Sequence, residues 1–208
     1  MAPSLDGKIA PARRSPAQGP FVMSRGTEDA ARMRALRARA DAIVIGATNL
    51  AVDDPDLAPC QLRVVVTRAG DQVSPAAAMF DPTLGGEAVV AHASTMPEAK
   101  RASLRGRATL VELGDSEVDV ERLLGWLSDE RRCSVVLCEG GGVLIAALFA
   151  ARALDELYLT IVPRILGGAL APTIVEGPGF EPDALPDATL GAIERVGDEL
   201  FARYDFKW

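Results

Sequence analysis

A chain of 208 residues that is 49% hydrophobic carries enough apolar material for a sizeable core. Its formal charge of −7 excludes a protein that tracks nucleic-acid phosphates with a broad basic face, although a local basic pocket is compatible with it. No window approaches the roughly 20 apolar residues of a bilayer-spanning helix, and the start, MAPSLDGKIAPARR, has no apolar signal core, so a cytoplasmic protein without membrane contact is expected.

The first 26 residues mix Pro, Gly and Ser without a sustained period and read as loop. Thr27 then stands as an N-cap, with Glu28 and Asp29 in the first turn, where the helix dipole favours negative charge. The helix DAARMRALRARA follows, with Met33, Leu36 and Ala40 on one face. Arg37 stands at the edge of that face, whereas Arg25, Arg32, Arg34 and Arg39 read in part as a solvated surface. The run DAIVIG is a strand ending on Gly46, and LRVVVT (62–67), AVVAHA (88–93) and ATLVEL (108–113) are further strands bounded by turn formers.

DVERLLGWLSDE is a second helix, with Val120, Leu123, Leu124 and Leu127 facing inward. It leads to the strand CSVVLCE, three glycines, a buried helix VLIAALFAARAL and a strand ELYLTIVP. Runs apolar at both parities fit central strands covered on two faces, the habit of parallel sheets. Near the end, TLGAIERV and ELFARYDF flank Gly197 and Asp198, which suit a two-residue type II′ hairpin, and 169–188 reads as surface loop. The fold class expected is α/β, a three-layer arrangement with a mixed, mostly parallel sheet flanked by helices and a C-terminal antiparallel hairpin, in one domain over 1–208.

Ligands of open α/β sheets gather beyond the carboxyl ends of parallel strands, and three such ends carry polar chemistry. In GATNLAVDDP, Gly46 permits close approach, Thr48 offers a hydroxyl, and Asp53 and Asp54 offer carboxylates; the same residues also suit a turn and helix cap. In VVVTRAGD, Thr67 and Arg68 end a strand, and an arginine there either grips a phosphate or faces water. In VLCEGGGVLI, Gly140, Gly141 and Gly142 between a strand and a helix either form a tight turn or present bare N–H groups to an anion. The pattern is neither G-x-G-x-x-G, since Ile145 replaces the third glycine, nor a P-loop. Glu139, just before the glycines, needs a partner if it is buried and ionised, and orienting a polar substrate explains its place.

Cys60, Cys133, Cys138 and the single His92 form no metal-ligand spacing and no evident nucleophile–base pair, so free thiols and a structural histidine are expected.

Taken in order, SLDGKIA, RALRARADAIVIGATNLAVDDPDL, RVVVTRAG and CEGGGVLIAALFAARALDELYLTIVPRILGG resemble the reductase domain of riboflavin biosynthesis, the pyrimidine reductase family with the dihydrofolate-reductase-like fold. The resemblance runs from Ser4 to Gly168. It implies a homodimer that uses NADPH to reduce the ribosyl group of a 5-amino-6-(5-phosphoribosylamino)uracil to a ribityl chain, without metal or flavin. It puts the cofactor against Gly46, Thr48, Asp53, Thr67, Arg68, Gly140, Gly141, Gly142, Val143 and Leu144, and within the stretch Gly141 to Ala147. It puts the small-molecule substrate against Arg37, Asp54, Leu57 and Glu139, with Glu139 and Asp53 nearest the chemistry.

The H-x-E and P-C-x-x-C ligands of the deaminase often fused to this family are absent, which implies a stand-alone reductase. Cys60 stands where the family carries an arginine for the substrate phosphate. That departure leaves open a related reductase of another heterocyclic or pterin-like substrate, or a nucleotide-binding relative without catalysis.

Overall fold

Short β-branched runs separated by helical segments fold as successive right-handed crossovers, and each crossover returns the chain parallel to the strand before it. The computed structural model describes residues 1–12, 22–24 and 26–208, in two compact units: residues 33–140, and residues 1–32 with 141–208. Arg25 and residues 13–21 of the N-terminal loop lie outside the described residues.

In residues 33–140 the strands are β1 (Ala42–Gly46), β2 (Leu62–Thr67), β3 (Glu87–His92), β4 (Thr109–Glu112) and β5 (Val136–Gly140). They form a five-stranded, wholly parallel sheet in the order β4-β3-β2-β1-β5. Both faces of the central strands are covered: Ile43 and Val65 on one side, Val44 and Val64 on the other, are all at most 3% exposed. Burying each such aliphatic side chain contributes about 1.5–3 kcal/mol. The first face packs with Leu50, Leu57, Met79, Phe80 and Leu104 into one cluster.

The helices are α1 (Glu28–Arg39), α2 (Ala47–Asp53), α3 (Glu98–Leu104) and α4 (Val120–Gly125), the last continuing into one π-helical turn at Trp126–Glu130. The carbonyl of Thr27 accepts from Ala31 N–H, as the expected cap position requires. The segment after Gly46 resolves into the seven-residue helix α2, not merely a turn, and ends in a left-handed Asp54 with φ of 42°.

In the other unit, α5 (Gly142–Ala150) is shorter than the apolar run that encodes it. Arg152 takes a left-handed φ of 51°, and Ala153 N–H reaches back to the Leu148 carbonyl, a Schellman-type stop. The strands β6 (Glu156–Ile161), β7 (Ala188–Val196) and β8 (Glu199–Phe206) form a separate antiparallel sheet in the order β6-β8-β7. Gly197 has φ of 62° between the paired Val196 and Glu199, as a type II′ turn demands. The chain start runs beside β6, where Thr160 N–H donates to the Met1 carbonyl and Val162 N–H to that of Pro3.

Candidate active site

The chain lays down β1 to β4 in one direction across the sheet and then returns to place β5 on the far side of β1. The carboxyl ends of β1 and β5 therefore flank the topological switch point, where open α/β sheets leave a crevice. Gly46 and Gly140 end these strands, and a Cβ at Gly46 would stand 3.3 Å from the Gly140 carbonyl oxygen. Only a residue without a side chain fits that spacing without displacement.

Between these ends the register slips. Val44 is level with Cys138 and Ile45 with Gly140, so Glu139 is the extra residue of a β-bulge. A bulge bends its strand and re-aims one side chain. Here the re-aimed carboxylate meets Arg37, which projects from the last turn of α1. Nε donates to Oε1 at 2.5 Å and Nη2 to Oε2 at 2.7 Å, a bidentate fork. The two side chains are 16% and 8% exposed, and Asp56 Oδ1 lies 3.7 Å from Arg37 Nη1. Burial works against the Arg37 charge, but the hydrogen bonds and charge of Glu139 more than offset it and hold the guanidinium above its ordinary pKa.

At the other two strand ends the polar groups are engaged locally. Thr48 Oγ1 donates to Gln72 Oε1 at 2.7 Å on the surface. Asp53 is half-buried at the end of α2, whereas Asp54 turns its carboxylate to accept Ala78 N–H at 2.8 Å. Thr67 is buried and its Oγ1 accepts Gly70 N–H, while Arg68 is exposed and only 3.5 Å from the equally exposed Glu117. Leu57 carries its side chain wholly into the core, so any ligand contact there falls to its backbone.

The three glycines have two separate physical reasons. Gly140 and Gly141 take φ of 94° and 98°, which L side chains rarely adopt. Gly142 is ordinary in φ but packed: a Cβ would stand 2.4 Å from Glu176 Cγ and 2.8 Å from the Thr173 carbonyl oxygen. Glu176 N–H also donates to the Gly142 carbonyl. Turn and packing thus account for every glycine, and Gly141 caps α5 without a side chain. Of the next two residues, Val143 is 73% exposed and Leu144 is buried.

The model of the RibD C-terminal domain matches residues 1–201. The chain belongs to that family. Among curated relatives, a 2,5-diamino-6-ribosylamino-4(3H)-pyrimidinone 5′-phosphate reductase of Methanothermobacter thermautotrophicus is 34% identical over 99% of this chain and 95% of its own length. The enzyme of that name from Archaeoglobus fulgidus is 29% identical over 95% and 92%. Among solved structures, RibD of Acinetobacter baumannii superposes with a TM-score of 0.77 at 19% identity, over all of this chain and 56% of that one. The riboflavin biosynthesis reductase Rib7 of Saccharomyces cerevisiae gives 0.74 at 18% identity, over 99% and 87%. The fold is therefore that of the RibD reductases.

Within this family frame, Cys60 is a core residue. It is buried, with its sulfur near the carbonyls of Ala40, Asp41 and Leu62. Burial pushes the thiols of Cys60, Cys133 and Cys138 up, that of Cys138 to about 12, so they stay protonated at neutral pH. All three are free. His92 is buried at the end of β3 with Nδ1 2.9 Å from the Ala93 carbonyl oxygen. Among the described residues no group of three or more His, Cys, Asp or Glu is placed to hold a metal ion, and no helix is long and apolar enough to cross a membrane. Sequence reasoning missed Asp56 and Gln72, whose parts depend on partners 19 and 24 positions away.

Proposed function

We propose that this chain is an NADPH-dependent reductase of riboflavin biosynthesis. Its substrate is 2,5-diamino-6-ribosylamino-4(3H)-pyrimidinone 5′-phosphate, with 5-amino-6-(5-phosphoribosylamino)uracil as the alternative acceptor. The observation that carries the reading is the Arg37–Glu139 fork, held on a bulge at the switch point of a RibD-family sheet. The choice of the diamino compound rests on the two relatives above, which match this chain almost from end to end and bear that name.

In residues 33–140, Gly46, Thr48, Asp53, Thr67, Arg68 and Gly140 are suited to the cofactor; in the other unit, taken by itself, Gly141 to Leu144 are suited to a pyrophosphate. The fit is chemical. Positive-φ glycines and an uncapped helix start offer bare N–H groups to a pyrophosphate, and Arg68, exposed at the end of β2, offers a fork for a 2′-phosphate. A bound reduced nicotinamide would supply the hydride for C1′ of the ring-opened imine, with water giving the proton to its nitrogen.

The chain's own residues hold donor and acceptor in register. Glu139, fixed by Arg37, keeps lone pairs for the amino groups of the pyrimidine. With both oxygens engaged it works as an orienting carboxylate and not as a mobile acid. Asp53 borders the reacting region from α2. Positioning of this kind needs few acid–base groups.

Following NADPH absorbance with each pyrimidine in turn tests the reading. Oxidation with the diamino compound at a higher kcat/KM than with the uracil is expected. Oxidation with neither, at any concentration, overturns the pathway assignment in favour of another heterocycle. NADPH binding with no acceptor at all favours a binding protein.

A further inference from the structure

The segment 171–177 follows β6 and lies against the start of α5 within the same unit. Glu176 N–H donates to the Gly142 carbonyl at 3.1 Å, and the Glu176 side chain packs so closely on Gly142 that a Cβ there would collide with its Cγ. One residue further on, Gly177 faces Ala146. Gly142 and Ala146 are four apart and share one side of α5, so the segment runs along that side.

Glu176 is itself held from behind. Its Oε1 accepts the Thr173 N–H, and the single proton of the Thr173 hydroxyl is shared between that oxygen and the Val175 carbonyl, each at 2.8 Å. These bonds from Thr173, the backbone one first, hold the Glu176 carboxyl below its ordinary pKa against the opposing effect of burial, and the charge of Lys8 adds to them. The segment is fastened in turn to the chain start. Thr173 pairs with Lys8 in an antiparallel bridge, the Pro172 carbonyl accepts Ile9 N–H at 2.9 Å, and Lys8 Nζ donates to the Ala171 carbonyl at 2.9 Å. Thr173 and Glu176 thus brace the start of a helix against an anchored loop. The helix itself is secured elsewhere, by burial of Leu144, Ile145, Leu148 and Phe149.

We propose that Glu176 is a positioning residue for the cofactor, acting through Gly142, which rests on the reading that the start of α5 takes a pyrophosphate. The first bond within the helix runs from Ile145 N–H to the Gly141 carbonyl, so the N–H groups of Gly142, Val143 and Leu144 have no acceptor inside it and point out of its end. Their aim depends on the backbone at Gly142, which has no side chain of its own to fix it and follows Gly141 at φ of 98°. Glu176 supplies that restraint from outside, with a hydrogen bond to the carbonyl and packing on the Cα. Donors fixed before the anion arrives lose less freedom on binding, so the effect belongs to affinity and not to hydride transfer. The brace needs an acceptor oxygen at position 176. Glu176→Gln keeps one and Glu176→Ala does not.

Fluorescence titration of NADPH and steady-state kinetics with the diamino pyrimidine, both on the full chain, test the proposal. Glu176→Ala is expected to raise the Kd for NADPH about tenfold or more, while kcat at saturating NADPH stays within about threefold of wild type. Glu176→Gln is expected to bind NADPH within about threefold of wild type. A second measurement needs no variant: because coupling is reciprocal, saturating NADPH should slow hydrogen exchange at the Glu176 amide of wild type about tenfold or more. An alanine variant that binds NADPH as wild type does, a glutamine variant as weak as the alanine one, a fall in kcat as large as the rise in Kd, or a Glu176 amide indifferent to NADPH would each overturn the proposal. A wild type that binds no NADPH would instead overturn the cofactor reading, and the role of Glu176 with it.

Discussion

Glu139 owes its position to one slipped register, and its carboxylate is paired with one arginine. Removing one partner of a buried pair leaves the other charge without compensation, which costs more than the pair itself contributes. Glu139→Gln is therefore expected to destabilise the fold by about 2 kcal/mol or more, since an amide oxygen still accepts one N–H but carries no charge. Arg37→Met/Glu139→Leu should regain most of that loss, and urea denaturation of both variants checks it. Neither variant should turn over the pyrimidine as wild type does.

Asp6 gives a pH-dependent counterpart at the same scale. Its carboxylate accepts from Ser4 Oγ, Leu166 N–H and Gly167 N–H, and these bonds hold its pKa at about 2 against an ordinary 3.8. Because the folded value lies below the unfolded one, the anchoring is complete above pH 3.8 and is lost as pH falls through about 2. The amide resonances of Leu166 and Gly167 should titrate with that low midpoint, and in Asp6→Asn they should not titrate there.

Among the elements, those with a strong local signal were legible from composition. β1, β2 and β3 are apolar at both parities because both their faces are buried, and Gly197-Asp198 announces its own turn. α2 was not, because Thr48, Asn49 and Asp53 favour turns as readily as a helix start, and only packing of Leu50 into the core decides between them. The bulge at Glu139 was out of reach for a deeper reason: a register slip belongs to two strands that lie almost a hundred residues apart, and neither strand contains it alone. The three glycines that suggested a ligand cradle also have local reasons, two in their φ angles and one in contact with Thr173 and Glu176.

That division makes the glycines separable by experiment. Gly142→Ala should destabilise by about 1–3 kcal/mol through overpacking, because the added Cβ meets Glu176 and Thr173. Gly141→Asp should weaken NADPH binding at least tenfold, because it sets a carboxylate beside the proposed pyrophosphate site. Thermal melts paired with fluorescence titration of NADPH distinguish the two, and a Gly141→Asp protein that binds NADPH as wild type does would remove the glycine turn from the cofactor site.

At the scale of the whole molecule, family membership brings a RibD-type sheet, and this chain's Arg37 and Glu139 form a bidentate pair at its switch point. What the fold cannot supply alone is the direction of electron flow, since one architecture serves many chemistries. The decisive measurement is transfer of label. With NADPH deuterated at both C4 positions and 2,5-diamino-6-ribosylamino-4(3H)-pyrimidinone 5′-phosphate as acceptor, the reductase account predicts a ribitylamino product with deuterium at C1′, detected by mass spectrometry and NMR. A ribitylamino product free of deuterium at C1′, or label found elsewhere in it, would contradict direct hydride transfer from the cofactor.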